Sequence, residues 1–337
     1  MVANGKHPRS WMEVRPAGLY CRPGDFYIDP VRPVERAIIT HGHADHARIG
    51  HQNVLATQNT IDIMKIRYGD KCAGSFQSIE YHKPLKINNL NFTFFPAGHI
   101  LGSAQILIET KNSRLLITGD YKTSPDSSCQ SYELVECDQL ITEATFGLPV
   151  FQHPKPENEI KKILKAFEKN DTKTYIIGAY ALGKSQRVIK LLRDAGYDET
   201  IYLHGSQLKI CDYYISQGIN LGNLEPVSYK KSEDFEGKIV IAPPSALKDK
   251  WSRRFSDPVI CYASGWMSIK QRAKQSLVEI PLIISDHCDW NELITTIKSC
   301  KTKSVWVTHG REDALVHWCK SNNINAEPLY MQGREEE

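Results

Sequence analysis

Between positions 40 and 48 the chain reads Thr-His-Gly-His-Ala-Asp-His-Ala-Arg, so His41, His43, Asp45 and His46 crowd four metal-ligand side chains into six positions. They follow the apolar run Ala37-Ile38-Ile39, the pattern of a strand that delivers a loop of imidazoles and a carboxylate. Neutral imidazole suits zinc, with manganese or iron as alternatives. A solvated histidine-rich loop is the plain alternative to a metal site. A second stretch, Gly178-Ala179-Tyr180-Ala181-Leu182-Gly183-Lys184-Ser185, satisfies the pattern of a nucleotide phosphate loop between an expected strand and an expected helix. The same helix start, with Lys184 and Ser185, could hold any phosphate, because free N–H groups and the helix dipole both favour an anion there.

Such residues need elements to hold them in place. Runs at 19–20, 26–29 and 38–39 alternate with Pro and Gly turns as strands, 90–96 alternates as another, and 114–118, 139–142, 281–285 and 304–308 read as further strands. Ile61, Met64 and Ile66 suggest a short helix over 60–68. Several of the strands end in residues capable of chemistry: Asp29 before Pro30, His99 between Gly98 and Gly102, Asp120 after Gly119, Glu143, Asp286-His287, and His309 before Gly310. Taken singly, Asp29, His99 and Asp120 read as turn formers. Asp29 also reads as a carboxylate that holds a ligand imidazole in its binding tautomer, and the two readings are compatible. Residues 148–280 alternate strand patterns (175–177, 200–203, 238–242) with helix patterns (157–168, 184–195, 208–217), which is an α/β unit with a parallel sheet.

A chain of 337 residues suits two domains. No run approaches membrane-spanning length and the polar, basic start lacks the apolar core of a signal peptide, so the expectation is a cytoplasmic protein without membrane contact. Nine cysteines with no Cys-x-x-Cys pair read as reduced thiols. Net charge is only +3, but residues 147–284 hold 21 Lys and Arg against 15 Asp and Glu, which puts the basic excess in the middle of the chain.

The His-x-His-x-Asp-His stretch after a strand resembles the signature of the metallo-β-lactamase superfamily of metal-dependent hydrolases. The phrases Gly24-Asp25-Phe26-Tyr27-Ile28-Asp29-Pro30, Pro96-Ala97-Gly98-His99, Gly119-Asp120, Glu143-Ala144-Thr145-Phe146-Gly147, Gly183-Lys184-Ser185-Gln186 and Ser285-Asp286-His287 narrow the resemblance to its β-CASP branch of nucleases, in order and over nearly the whole chain. The resemblance implies an α/β fold, an αββα sandwich of residues 1–147 and 281–337 with a nucleic-acid-binding α/β cap inserted at 148–280. It implies two divalent ions, zinc first and manganese the alternative. His41, His43, His99 and Asp120 would hold one, and Asp45, His46, Asp120 and His309 the other. Asp29 would hold a ligand imidazole, Asp45 would also orient the attacking water, and His287, oriented by Glu143, would protonate the leaving oxygen. Lys184 and Ser185 would face the nucleic-acid backbone rather than ATP.

Within the branch the phrases look most like the bacterial ligase-associated DNA exonucleases, also described as messenger-RNA 3′-end-processing-like proteins. That implies a DNA exonuclease of DNA repair, with a DNA ligase and a helicase as partners. His309 leans the other way, since RNA-processing members carry this histidine and the animal DNA-repair members usually lack it. An RNA endo- or exonuclease is therefore the alternative, followed by a small-molecule hydrolase of the lactamase or glyoxalase type. A non-catalytic nucleic-acid scaffold is opposed by the complete set of ligand positions.

Overall fold

Leu90–Pro96 reads Leu-Asn-Phe-Thr-Phe-Phe-Pro, and its period of two shows how the first of two units is built. Leu90, Phe92 and Phe94 are fully buried on one face, whereas Asn91, Thr93 and Phe95 point to the other. A computed structural model describes residues 8–228, 231–275 and 277–330. It divides the chain into one unit of residues 1–152 with 287–337 and a second of residues 153–286.

In the first unit, one sheet runs in chain order through Met12–Arg15, Gly18–Cys21, Phe26–Ile28, Arg36–Ile38, His51–Ala56 and Ala73–Ser78. The other runs Asn325–Pro328, Ser304–Gly310, Gln139–Ala144, Arg114–Ile117, Ala104–Glu109, Leu90–Pro96 and Leu85–Ile87. The inner faces meet in a core that includes Trp11, Leu19, Phe26, Ile38, Phe92, Phe94, Ile106, Ile117 and Trp306. Each such side chain contributes about 1.5–3 kcal/mol relative to exposure. Outside the first sheet, helix Gln58–Tyr68 buries Ile61 and Met64 against Ala37, Ile39 and Val54. Outside the second, helices Trp290–Ser299 and Glu312–Ser321 bury Leu293, Ile297, Leu315 and Val316 against Leu107, Leu116, Leu140, Val305 and Val307. The layers are therefore helix, sheet, sheet, helix, an α/β fold of the αββα type.

The division of the chain falls at 152/153 and 286/287 rather than at 147/148 and 280/281. Phe151 is buried and its carbonyl accepts from Trp290 N at 3.0 Å, which ties 148–152 to the first unit. The strand expected at 281–285 is Ile280–Leu282, and it pairs with Val259–Ala263 in the second unit.

Helix Trp290–Ser299 starts on a reciprocal cap, with Asp289 accepting from Glu292 N at 3.0 Å and Glu292 accepting from Asp289 N at 2.9 Å. The Glu292 carboxylate also accepts from Lys122 Nζ at 2.5 Å and Thr123 Oγ1 at 2.9 Å, so the loop after Asp120 is pinned to this helix. Burial alone would raise the Glu292 carboxyl, yet Lys122, Ser124 and the Asp289 N–H outweigh it and hold it at about 2. A depressed folded pKa stabilises above the unfolded value and is lost as pH falls through the folded one. Glu292→Gln should therefore cost on the order of 3 kcal/mol at neutral pH, a difference that shrinks between about pH 4.5 and pH 2. Denaturant melts of both proteins across that window check this, and a gap that does not change with pH would refute it.

In the second unit every described strand pair is parallel, in the order Leu224–Pro226, Ile201–Leu203, Ile239–Ala242, Tyr175–Gly178, Val259–Ala263 and Ile280–Leu282. Tyr175-Ile176-Ile177-Gly178 and Ile239-Val240-Ile241-Ala242 are buried on both faces, as strands covered by helices on each side must be. Among the described residues no helix is long and apolar enough to cross a membrane.

Candidate metal centre

Asp29 ends strand Phe26–Ile28 at φ 42°, a left-handed conformation that costs a non-glycine residue about 1–3 kcal/mol. Its amide donates to Ile38 O at 2.9 Å across the parallel pair of strands. One carboxylate oxygen then accepts from Thr40 N at 2.7 Å, and the other from Thr40 Oγ1 at 2.6 Å and His46 Nδ1 at 2.8 Å. With its proton on Nδ1, His46 turns Nε2 towards Asp45 and Asp120, 3.3 Å from each. Thr40 Oγ1 also lies 3.1 Å from His41 Nδ1, so one hydroxyl serves both the carboxylate and the next imidazole. Thr40 was not singled out in the sequence. Its only signal is its place between the strand and His41.

His99 is set by two small residues. Gly98 sits at φ 72° with a Cβ position 2.2 Å from Lys122 O, so only glycine fits there. Ser103 Oγ accepts from the amides of His99 and Ile100, each at 3.2 Å, which closes the loop. His309 comes from the farthest point of the chain. Ser304–Gly310 pairs with Gln139–Ala144, but the register slips, so that Glu143 opposes Thr308 and Ala144 opposes Gly310. His309 is the extra residue at φ 58°, an irregularity that re-aims its side chain.

The result is two groups of four donors whose ligand atoms lie within 4.8 Å of one another: His41, His43, His99 and Asp120, and Asp45, His46, Asp120 and His309. Asp120 belongs to both. His43 Nδ1 stands 3.2 Å from His41 Nε2 and 3.0 Å from His99 Nε2, and Asp120 Oδ2 stands 3.5 Å from His41 Nε2. A cation bound at ~2.0–2.1 Å would space tetrahedral donors roughly 3.3–3.4 Å apart, so the grouping fits one. Asp120 Oδ1 is buried and accepts no hydrogen bond among the described residues.

The electrostatics agree. Burial, reinforced by His46, pushes His41 well below its ordinary value. Burial would also lower His46, yet Asp120, Asp45 and Asp29 hold it well above. Burial would raise the Asp120 carboxyl, but His46, His309 and His41 hold it well below the usual range. Three carboxylates around one buried imidazole call for positive charge, which divalent ions on these donors would supply.

Beside this cluster Glu143 and His287 come together, with Asp120, Glu143 and His287 donor atoms within 4.8 Å of one another. Glu143 Oε1 accepts from Tyr121 N at 2.8 Å. Its Oε2 accepts from Thr145 Oγ1 at 2.5 Å and lies 2.9 Å from His287 Nδ1. Thr145 is a further residue not singled out in the sequence. Its place two residues after Glu143, in the turn that follows strand Gln139–Ala144, is the signal that could have found it.

Within the second unit, Lys184 and Ser185 already have partners of their own. Lys184 is 4% exposed and its ammonium pairs with Asp286, itself buried. Ser185 Oγ donates to Tyr180 O at 2.7 Å, and Gly183 N donates to Gln186 Oε1 at 2.7 Å. These three donors, which a nucleotide phosphate loop would offer to its ligand, are thus used within the second unit, and that weighs against the phosphate role expected of both residues. Lys184→Met leaves the Asp286 charge buried and should destabilise by about 3–5 kcal/mol, with Lys184→Met/Asp286→Leu recovering most of it. Thermal and urea melts of the two variants test this; a Lys184→Met protein as stable as the parent would show that the pair is not structural.

No family model matches the chain. A probable DNA ligase of Opitutus terrae is 26% identical over 312 residues, covering 92% of this chain and 30% of that protein. Endoribonuclease YSH1 of Kluyveromyces lactis is 26% identical over 268 residues, covering 68% of this chain and 34% of the relative. An RNase J-like protein of Methanocaldococcus jannaschii is 26% identical over 214 residues, covering 55% of this chain and 51% of its own. The chain thus spans about a third of the length of the first two of these relatives and half of the third. A protein of unknown function from Enterococcus faecalis shares the fold, with TM-score 0.60 and 11% identity over 89% of this chain and 80% of that one. Its layered fold and its nuclease relatives point the same way: this chain is a relative of the β-CASP metallo-β-lactamase nucleases.

Proposed function

We propose that this chain is a dinuclear zinc phosphodiesterase that hydrolyses nucleic acid and works as a DNA exonuclease. The observation that carries the reading is the sharing of Asp120 between two four-donor clusters, next to the Glu143–His287 pair. Divalent ions held there would supply Lewis-acid charge for the phosphoryl oxygens and lower the pKa of a water from 15.7 towards ~7. Asp45, whose carboxylate lies 3.3 Å from His46 Nε2, orients the attacking water as well as serving as a donor. His287 keeps Nδ1 on Glu143, so its Nε2 is the atom that carries a proton to the leaving oxygen.

DNA is favoured because the relative aligned with 92% of this chain is a probable DNA ligase, which suggests trimming of ends before joining and a ligase as partner. RNA is the second reading, favoured by His309 and by the endoribonuclease relative. The test is metal-loaded protein incubated with end-labelled linear and closed-circular single strands of DNA and RNA. Shortening of linear DNA from an end, with circles intact and RNA cut more slowly, is the expected result. Cutting of RNA circles in preference would move the reading to an RNA endonuclease, and no cleavage by fully loaded protein would overturn both.

A further inference from the structure

The second unit carries a basic surface with an aromatic side chain of its own. Strand Ile239–Ala242 is followed by two short 3₁₀ turns, Pro244–Lys248 and Lys250–Arg254, and this stretch holds Lys248, Lys250, Arg253 and Arg254 against the single acid Asp249. All four cations are exposed, and none forms an ion pair among the described residues. By contrast, Lys162, Lys173, Lys190 and Lys238 of the same unit each pair with a carboxylate.

Amid these cations stands Trp251, half-buried and fixed. Its ring meets Phe255 edge-on at 5.2 Å between centroids, and Phe255 is buried against Phe235 in the core. On another side His204, from the end of the neighbouring parallel strand Ile201–Leu203, meets Trp251 at 5.0 Å. The Arg254 guanidinium lies over the Trp251 ring at 5.5 Å. The carboxyl ends of adjacent parallel strands thus present an anchored aromatic and a planar cation, ringed by unpaired positive charge. A merely solvated basic turn has no need of a half-exposed tryptophan locked from below.

We infer that this surface binds single-stranded nucleic acid, with an unpaired base stacked on the Trp251–Arg254 platform and the flanking phosphates on Lys248, Lys250 and Arg253. Stacking needs a base free of its partner, and aromatic platforms accept any base, so the surface selects strandedness rather than sequence. The inference rests on the nuclease reading for its biological sense and makes the substrate a single strand.

The test uses the whole chain with metal removed by chelation, so that binding is read without cleavage. Fluorescence anisotropy is measured with a labelled 20-mer of deoxythymidine, a 20-mer of uridine, an abasic strand of equal length and a duplex. Wild type should bind the base-bearing strands roughly 5- to 150-fold tighter than the abasic strand, the range of one stacked base, and more tightly than the duplex. Trp251→Leu should lose that advantage, while Trp251→Phe keeps most of it. Arg253→Ala/Arg254→Ala should lower the salt slope by ~0.7 for each phosphate no longer neutralised. Equal wild-type affinity for base-bearing and abasic strands would overturn the proposal even if a Trp251 variant failed to fold. A folded Trp251→Leu protein that keeps the preference would do the same. Metal-dependent cleavage of bis(p-nitrophenyl) phosphate, which carries no nucleobase and no flanking phosphates, is followed separately. Its absence would fail the nuclease reading alone, and its persistence in Trp251→Leu is expected.

Discussion

Asp120→Asn is expected to abolish phosphodiester cleavage and to lower bound metal at both positions of the centre. Asp120 is the one side chain counted in both four-donor groups, with Oδ2 3.3 Å from His46 Nε2 and 3.5 Å from His41 Nε2. The amide keeps the size of the side chain but replaces an anionic oxygen with an N–H donor. It also removes the charge that holds His46 well above its ordinary value. Changing a residue that only supports a ligand typically costs ~10–100-fold in metal affinity or activity, so loss of a shared ligand should exceed that. Metal content by elemental analysis after dialysis, alongside cleavage of a labelled strand, decides the matter. Wild-type turnover with full metal content in Asp120→Asn would mean that the two groups of donors do not form one centre.

His287→Ala should lower the rate by ~10²–10⁴-fold with metal content unchanged, the usual worth of a positioned acid or base. His287 has a carboxylate at 2.9 Å and lies outside both four-donor groups, which is the basis for expecting proton transfer and not metal holding from it. Glu143→Gln should fall in the same direction, because Glu143 holds the Nδ1 of the ring. The discriminating measurement is the leaving group. A p-nitrophenyl ester leaves without a proton, so His287→Ala should be slowed far less on it than on a natural strand. Equal losses on both substrates, or loss of metal from His287→Ala, would remove the proton-transfer role.

The sequence alone was most informative where the chemistry is local. His41, His43, Asp45 and His46 are legible as candidate donors because four of them follow one strand, and Asp29, His99, Asp120, Glu143, His287 and His309 are legible as candidates because each ends or follows a run of strand-like residues. The helix expected over 60–68, which is Gln58–Tyr68 in the structure, and the parallel α/β character of the second unit are likewise carried by periodicity, which needs no knowledge of the partner. What the sequence could not reveal depends on which surfaces meet. Ala73–Ser78, Ala-Gly-Ser-Phe-Gln-Ser, has no alternation of its own and is a strand only because His51–Ala56 offers it a ladder. Thr40 becomes the link between Asp29 and His41 only once Phe26–Ile28 and Arg36–Ile38 lie in register. His309 is aimed by a slipped pairing with a strand more than 150 positions earlier, which no window along the chain can contain. Lys184 shows the same limit from the other side. The letters Gly183-Lys184-Ser185 suit a phosphate, but a buried carboxylate 102 residues later takes the ammonium, because the fold lets Asp286 supply the negative charge that a ligand would otherwise bring.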